Sequence, residues 1–497
     1  MAIYTKLMAH QDLILDFIKD KKYFGIFADY GTGKSLTALA YVNKLNIRKT
    51  LIISTKTSIQ STWPQEVKKH TSFKVALLTG TKQQKLNTLY HGLKVSMTSA
   101  GYYHAKTTNN IIFLINFDGV KGIYNELLQA NFDFIVVDES TKIKSHKTAR
   151  TKVLWALGKN IDKKCIMTGF PITENISEIY SQIKFLDNGN TFGNSYYNFM
   201  ETNFNRIGYK YVVKKKGIES ILQKIKPFCI RISGDVLKLP PKRYSKIEIL
   251  PTEQQSKLID ELKSTFKLEF GKVSIDTKYI FTLINKNMQI CDGFIQVRNQ
   301  KKDMHGNLLF KTDDKGNFIT NKVNEPLPLL ENKPVVEPLL SNKDEALLEL
   351  IEEIDPRKNK ILIWFNHTFP LKKAERLITK LGYKVLTLYG ETEDADSVVN
   401  KFQHGNYNIL LASLKKAAAS ITLTNCKYAI YYSTHWSYDE RYNSEARIYR
   451  KGSEKHDSIL YIDLVTKDSI EDMIFKCLKE KKNLVDILKQ QFGSIKS

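Results

Sequence analysis

The chain alternates short apolar runs with amphipathic stretches. In its first part the runs are Tyr23–Phe27, Leu51–Ser54, Val75–Leu78, Ile111–Asn116, Phe134–Val137 and Cys165–Thr168. They are almost continuously apolar, so each predicts a strand buried on both faces. Stretches with helical spacing lie between them, such as Ser35–Leu45 and Ser58–His70. This βα rhythm predicts a parallel sheet covered by helices on both sides. The rhythm returns at Ile361–Phe365, Val385–Tyr389, Ile409–Ala412, Tyr428–Tyr432 and Ile459–Leu464. The span between is different. It opens on the turn formers Asn188-Gly189-Asn190-Thr191-Phe192-Gly193 and carries helical segments at Ser220–Ile225, Glu253–Glu269 and Val273–Met288. A polar stretch with Pro326, Pro328, Pro334 and Pro338 follows. The pattern predicts an α/β chain in three parts: a first lobe over 1–187, helical protrusions and a linker over 188–345, and a second lobe over 346–497. Within the linker, Leu308–Lys311 and Asn317–Thr320 flank a Gly-containing turn, which predicts a β-hairpin over 308–320.

Two of the strand runs end in polar chemistry. The first leads into Ala28-Asp29-Tyr30-Gly31-Thr32-Gly33-Lys34-Ser35. Gly31 and Gly33, on either side of Thr32, let backbone N–H groups wrap phosphates. Lys34 can reach the β/γ oxygens, and the Ser35 hydroxyl suits Mg²⁺. Phe134–Val137 leads into Asp138-Glu139. Asp138 suits the metal and Glu139 suits a water that attacks phosphorus. The pair implies hydrolysis of a nucleoside triphosphate with Mg²⁺. The later lobe has strands but no phosphate loop, so the nucleotide is expected between the lobes.

Composition narrows the context. A chain of 497 residues is too long for one core. No apolar run is long enough to span a membrane, and Met1–Lys6 lacks the apolar core of a signal peptide. The five cysteines, at 165, 229, 291, 426 and 477, form no C-x-x-C pair. That pattern predicts reduced thiols and argues against a zinc module. A cytoplasmic protein is the expectation. The net charge of +24 favours a polyanionic partner, most simply nucleic acid.

Further segments extend the series of motifs. Met8-Ala9-His10-Gln11 precedes the phosphate loop. Ser54–Ser58 with Trp63 and Glu66, then Asn116-Phe117-Asp118, follow it. Asp138–Thr141 is trailed by Lys142-Ile143-Lys144, and Thr168-Gly169-Phe170-Pro171 with Asn175 comes next. Phe228–Arg231, Asp235–Leu237 and Leu239–Lys242 sit between the lobes, followed by Gln289-Ile290-Cys291. The series closes on Asn443–Ser453 with Arg447, Arg450 and Gly452. In this order the segments resemble the Swi/Snf-type ATP-dependent DNA translocases and helicases of helicase superfamily two. The lobe-linking segment sets the chain apart from RNA helicases with a DEAD box. Three positions depart from the family pattern. Ser140-Thr141 stands for Ala-His, Ala417–Ser420 for a glycine-rich motif, and Asn443 for Gln.

The resemblance implies two tandem RecA-like lobes with helical protrusions between them, using ATP and Mg²⁺. It implies that Gln11 reads adenine and that Arg450, with Arg447 three residues before it on one helical side, serves as an arginine finger. Lys56, Thr57, Asn116, Lys142 and Lys144 are the implied contacts to DNA phosphates, which position a strand without reading sequence. Trp63 suits packing at a helix start or stacking on a base, and Trp436 suits the cleft or the core. The implied activity is ATP-driven movement on duplex, forked or branched DNA, remodelling forks, junctions or protein–DNA complexes. Brevity and composition suggest a bacterial or phage member. Three other readings remain: a strand-separating DNA helicase, the motor subunit of a restriction or defence complex, and a nucleotide-gated DNA clamp without turnover.

Overall fold

A computed structural model describes residues 3–93, 95–98, 101–104, 110–172, 175–208, 210–270, 277–297, 335–414, 421–434 and 437–476. Its first sheet comprises β1 (Tyr23–Ala28), β2 (Lys49–Ser54), β3 (Lys74–Leu78), β4 (Ile111–Asn116), β5 (Phe134–Asp138), β6 (Lys163–Thr168) and β7 (Cys229–Ile232). The order is β7-β1-β6-β5-β2-β4-β3, with every pairing parallel. The second sheet comprises β8 (Lys242–Ile249), β9 (Ile361–Phe365), β10 (Val385–Leu388), β11 (Ile409–Ser413), β12 (Tyr428–Tyr431) and β13 (Ile459–Thr466). Its order is β8-β13-β12-β9-β11-β10, again all parallel. The α/β architecture of two parallel-sheet lobes is the one the sequence predicts.

The continuous apolar runs follow from two-sided burial. Phe27, Leu51, Ile53, Ile135 and Val137 enter one core of the first lobe, and Ile26, Ile52, Phe134 and Val136 enter the other. Ile361, Ile363 and Phe365 likewise alternate with Leu362 and Trp364 in the second lobe. Each such side chain, fully buried, contributes roughly 1.5–3 kcal/mol of transfer free energy. Helices α1 (Ala9–Ile18) and α2 (Lys34–Lys44) cover the face that holds Phe134, through Ile14, Ile18, Leu39 and Tyr41.

The lobes reach further than the sequence boundaries. Asn188–Gly193 is a tight turn inside the first lobe: the Asp187 carboxylate accepts from the Gly189 N–H at 2.8 Å and the Thr191 N–H at 2.6 Å. Beyond it, the helix Gly217–Ile225 buries Ile221, Leu222 and Ile225 in the first lobe's core, and β7 joins the first sheet beside β1. β8 opens the second sheet well before residue 346 and pairs with β13 from Lys242↔Ile459 to Ile249↔Thr466. Turn chemistry and short edge strands carry no label of the sheet they serve, so the sequence pattern misplaces both limits. The helices Glu253–Phe270 and Thr277–Cys291 fall where the sequence predicts helical segments. The hairpin expected over 308–320 lies outside the described residues.

Strand order makes the site. β1, β6 and β5 are neighbours, so the ends of all three open on one edge. Segments far apart in sequence, after Ala28, Thr168 and Val137, therefore meet at the carboxyl ends of parallel strands, where open α/β sheets bind ligands.

Candidate active site

The loop after β1 turns through Gly31 (φ +83°) and Gly33 (φ +78°), both left-handed. Space matters as much as angle. A Cβ on Gly33 would stand 2.1 Å from Gln11 Nε2, and one on Gly31 would stand 3.1 Å from Arg450 Cβ. Lys34 begins α2, and its ammonium donates to the Ala28 carbonyl at 2.7 Å. Burial lowers the Lys34 pKa, while the carboxylates of Glu139, Asp138 and Asp29 oppose that shift. The Thr32 hydroxyl donates to the Asp29 carbonyl at 2.7 Å, which tightens the turn.

Gln11 packs against the loop. It is fully buried, and both ends of its amide are engaged by the protein. Its oxygen accepts from the Met8 N–H at 2.9 Å. Its nitrogen donates to the carbonyls of Thr32 at 3.2 Å and Gly33 at 3.4 Å. His10 Nε2 lies 2.8 Å from the same Thr32 carbonyl. α1 packs on α2, and its first turn reaches the loop through the carbonyls of Thr32 and Gly33.

Asp138 and Glu139 leave the end of β5 in different environments. Asp138 Oδ2 accepts from the Ser54 hydroxyl at 3.0 Å and the Trp63 indole N–H at 2.9 Å, and Oδ1 accepts from the Glu139 N–H at 3.0 Å. Trp63 is thus buried at the start of its helix, where its polar edge orients a carboxylate. Glu139 has a left-handed backbone, φ +53°. The Tyr30 hydroxyl donates to its two oxygens at 3.3 and 3.5 Å. Burial and then the neighbouring Asp138 raise the Glu139 pKa; Lys34, Arg447 and Lys142 pull it back. A carboxylate with a raised pKa beside a phosphate loop suits the handling of a water's proton.

One buried ion pair ties the loop to the segment that links the lobes. The Arg231 guanidinium pairs with Asp29 Oδ1 and donates to the Gly169 carbonyl, while Asp29 Oδ2 accepts from the Gly234 N–H at 2.8 Å. Arg231 also lies 4.9 Å from the centre of the Phe170 ring.

The second lobe closes the site. Its helix α3 (Tyr438–Glu445) ends before Arg447 and Arg450, so both stand in the turns that follow and not on a shared helical face. They nevertheless point the same way. Arg447 donates to the Asn443 carbonyl at 2.8 Å and lies 5.7 Å from the Tyr30 ring centre. Arg450 donates to the Ala446 carbonyl and the Thr422 hydroxyl, both at 2.8 Å. Burial, then the adjacent Arg447 charge, brings Arg450 down to about 9, still cationic at neutral pH. Phe170 meets Tyr442 edge-on at 4.3 Å, and Tyr30 meets Tyr442 at 5.5 Å. Together these elements enclose a cavity of about 460 Å³, lined by Gly31, Gly33, Lys34, Ser35, Asp138 and Glu139 on one side and by Asn443, Arg447 and Arg450 on the other.

The candidate DNA residues lie in varied settings. Lys56 and Thr57 are exposed after β2, and Asn116 ends β4. Lys142 lines this same cavity. Lys144 pairs with Glu178 at 3.0 Å. The Ala417–Ser420 segment and Trp436 lie outside the described residues.

The family model described as the SNF2-related domain matches residues 13–304, more than half of the chain. The chain belongs to the SNF2-related family. The helicase conserved C-terminal domain matches residues 342–452 of this SNF2-related chain. It is 26% identical over 495 residues to a Bacillus subtilis protein named putative ATP-dependent helicase/translocase YwqA, covering 95% of this chain and 47% of that one. It is 23% identical over 504 residues to the human DNA repair and recombination protein RAD54B, covering 92% and 51%. The chain spans about half the length of these curated relatives. A solved structure of the Sulfolobus solfataricus SWI2/SNF2 ATPase core in complex with dsDNA is 20% identical, with a TM-score of 0.43, covering 97% of this chain and 92% of that one. No helix among the described residues is long and apolar enough to cross a membrane.

Proposed function

We propose that the protein is a DNA-dependent ATPase that moves along DNA. One observation carries the reading. A single cavity is lined by a phosphate loop and a carboxylate pair from one lobe and by two arginines from the other. In this reading the loop amides and Lys34 hold the phosphates. Glu139 orients the attacking water and takes its proton. Arg447 and Arg450 meet the charge that develops on the transferred phosphoryl group. The far lobe must be seated for the arginines to act, so turnover and lobe movement are coupled.

The donors fit Mg²⁺. Ser35 and Asp138 offer hard oxygens, and Mg²⁺ uses one or two carboxylates plus substrate phosphates and keeps several waters. Among the described residues no group of three or more His, Cys, Asp or Glu is placed to hold a metal ion by itself. When bound, Mg²⁺ would neutralise charge on the β- and γ-phosphate oxygens.

Duplex, forked or branched DNA is the partner that the family and the charge of +24 favour. Lys56, Thr57 and Asn116 are the proposed phosphate contacts. Motion against forks, junctions or bound proteins would remodel them. The four described cysteines are buried and unpaired, which suits a reducing cytoplasm, in a bacterium or a phage-infected cell. The motor of a larger restriction or defence complex would use the same site with a partner. A clamp without turnover is disfavoured by the complete set Lys34, Asp138, Glu139 and Arg450. The deciding experiment is steady-state ATP hydrolysis without nucleic acid and with single-stranded, duplex, forked and four-way DNA, and with RNA. Strong stimulation by duplex or branched DNA and weak stimulation by RNA is expected. A rate indifferent to all of them would contradict the reading.

A further inference from the structure

We propose that a short hairpin on the first lobe, Phe204–Val213 with the lysines after it, is a further contact for the phosphate backbone of duplex DNA. The proposal rests on the DNA reading above and names a surface for it. The strands Phe204–Ile207 and Lys210–Val213 pair antiparallel from Phe204↔Val213 to Ile207↔Lys210. Gly208, just after the first strand, has a left-handed backbone (φ +58°).

Among the described residues, this hairpin is anchored at its root. Phe204 is buried in the first lobe's core, and Val213 packs against that core. Beyond that pair, Asn205, Arg206, Ile207, Tyr211 and Val212 are all exposed. Register puts Arg206 and Tyr211 on one face and Ile207 and Val212 on the other, so both faces meet water. Ile207 is 65% exposed, Val212 48% and Tyr211 40%. A lone two-stranded hairpin is at best marginally stable, and this one leaves apolar surface uncovered.

Charge identifies the occupant. Residues 204–216 contain Arg206, Lys210, Lys214, Lys215 and Lys216 and no carboxylate. The Lys214 ammonium is used at the root, donating to the Glu201 and Thr202 carbonyls at 2.7 and 2.8 Å. Arg206, Lys215 and Lys216 are exposed. Cations interleaved with a tyrosine and aliphatic groups suit a phosphate backbone with sugars and base edges beside it. Position agrees. The helix leading into the hairpin, Tyr196–Asn203, stacks its Tyr196 ring on His146 with centroids 3.7 Å apart and planes at 17°. His146 lies in the segment that carries Lys142, Lys144 and Lys147 away from the catalytic carboxylates. The helix that leads into the hairpin therefore starts against the segment that carries these lysines.

The test uses the full chain with Arg206→Ala, Lys215→Ala and Lys216→Ala combined, and a blunt duplex DNA. Affinity is measured by fluorescence anisotropy over a range of salt. Each lost phosphate contact removes about 0.9 from the slope of log affinity against log salt. The combined variant should bind at least tenfold more weakly, with a slope shallower by about 2 to 3. Its DNA-free ATP turnover and melting temperature should match wild type, since none of the three residues touches the site. Wild-type affinity and slope in this variant would overturn the hairpin proposal and leave the DNA reading standing. Failure of the unmodified chain to bind duplex would overturn both. Should the variant keep duplex affinity but lose binding to polyglutamate, the surface is a protein-docking site and the proposal fails.

Discussion

Glu139 holds a left-handed backbone at the end of β5, a conformation that costs a non-glycine residue on the order of 1–3 kcal/mol. The Tyr30 hydroxyl, Lys34 and Arg447 surround its carboxylate and repay that strain with position. Glu139→Gln should keep ATP affinity and lose turnover, because the carboxylate acts on the water and not on the phosphates; binding of a fluorescent nucleotide and kcat check both halves. Tyr30→Phe removes two long hydrogen bonds of a partly buried pair, worth about 1 kcal/mol together. It should lower kcat about fivefold and leave KM for ATP unchanged. A wild-type kcat in Tyr30→Phe would take Tyr30 out of the mechanism. The glycines, Lys34, Ser35 and the two carboxylates are legible in sequence, since each chemical role sits at a fixed spacing within one segment. The roles of Tyr30, Ser54, Trp63 and the Asp29–Arg231 pair in holding the carboxylates and the loop are not legible in sequence. Their contacts join segments that only the strand order brings together. Gln11, marked by its place in a series of motifs, turns its amide to the loop's own carbonyls.

At the scale of elements, a buried ionic cluster holds α3 and so aims the arginines behind it. Arg441 donates to Glu445 at 2.9 Å and pairs with Asp463 of β13. Lys242 and the Tyr244 hydroxyl of β8 reach the same Glu445 carboxylate at 3.1 and 2.8 Å. Burial alone would push Glu445 up, but Lys242 and Arg441 outweigh it and hold the carboxyl at about 2, below its ordinary 4.5. A depressed carboxylate stabilises the fold fully above its unfolded pKa. That contribution should fade as pH falls from 4.5 towards 2. Glu445→Ala takes the carboxylate from Lys242 and one of two carboxylates from Arg441, which keeps Asp463, and should cost about 3–5 kcal/mol in denaturant unfolding at neutral pH. The difference from wild type should shrink in acid. If Glu445→Ala matches wild type at neutral pH, the cluster is not what seats α3. The long buried strands were legible because two-sided burial makes them apolar throughout. β7 and the Phe204–Val213 hairpin were not. The first has only four residues, and the second mixes apolar residues with Asn205, Arg206 and Lys210 in two four-residue strands, so neither shows the pattern of a core strand.

Across the whole molecule, the lobes meet through particular contacts. Phe170 and Tyr30 pack on Tyr442, and the Gly31 backbone lies against Arg450. Gly31→Ala would add strain at φ +83° and a Cβ 3.1 Å from Arg450 Cβ, so it should lower turnover by disturbing loop and lobe seating together. The central claim is that one ATP site is built from both lobes. The most direct test is kcat and KM for ATP at saturating duplex DNA in Arg450→Ala, with Arg447→Ala alongside. The account predicts a kcat at least about tenfold lower for Arg450→Ala with little change in KM, since the guanidinium acts on charge present in the transition state. Wild-type kcat in both variants would contradict it.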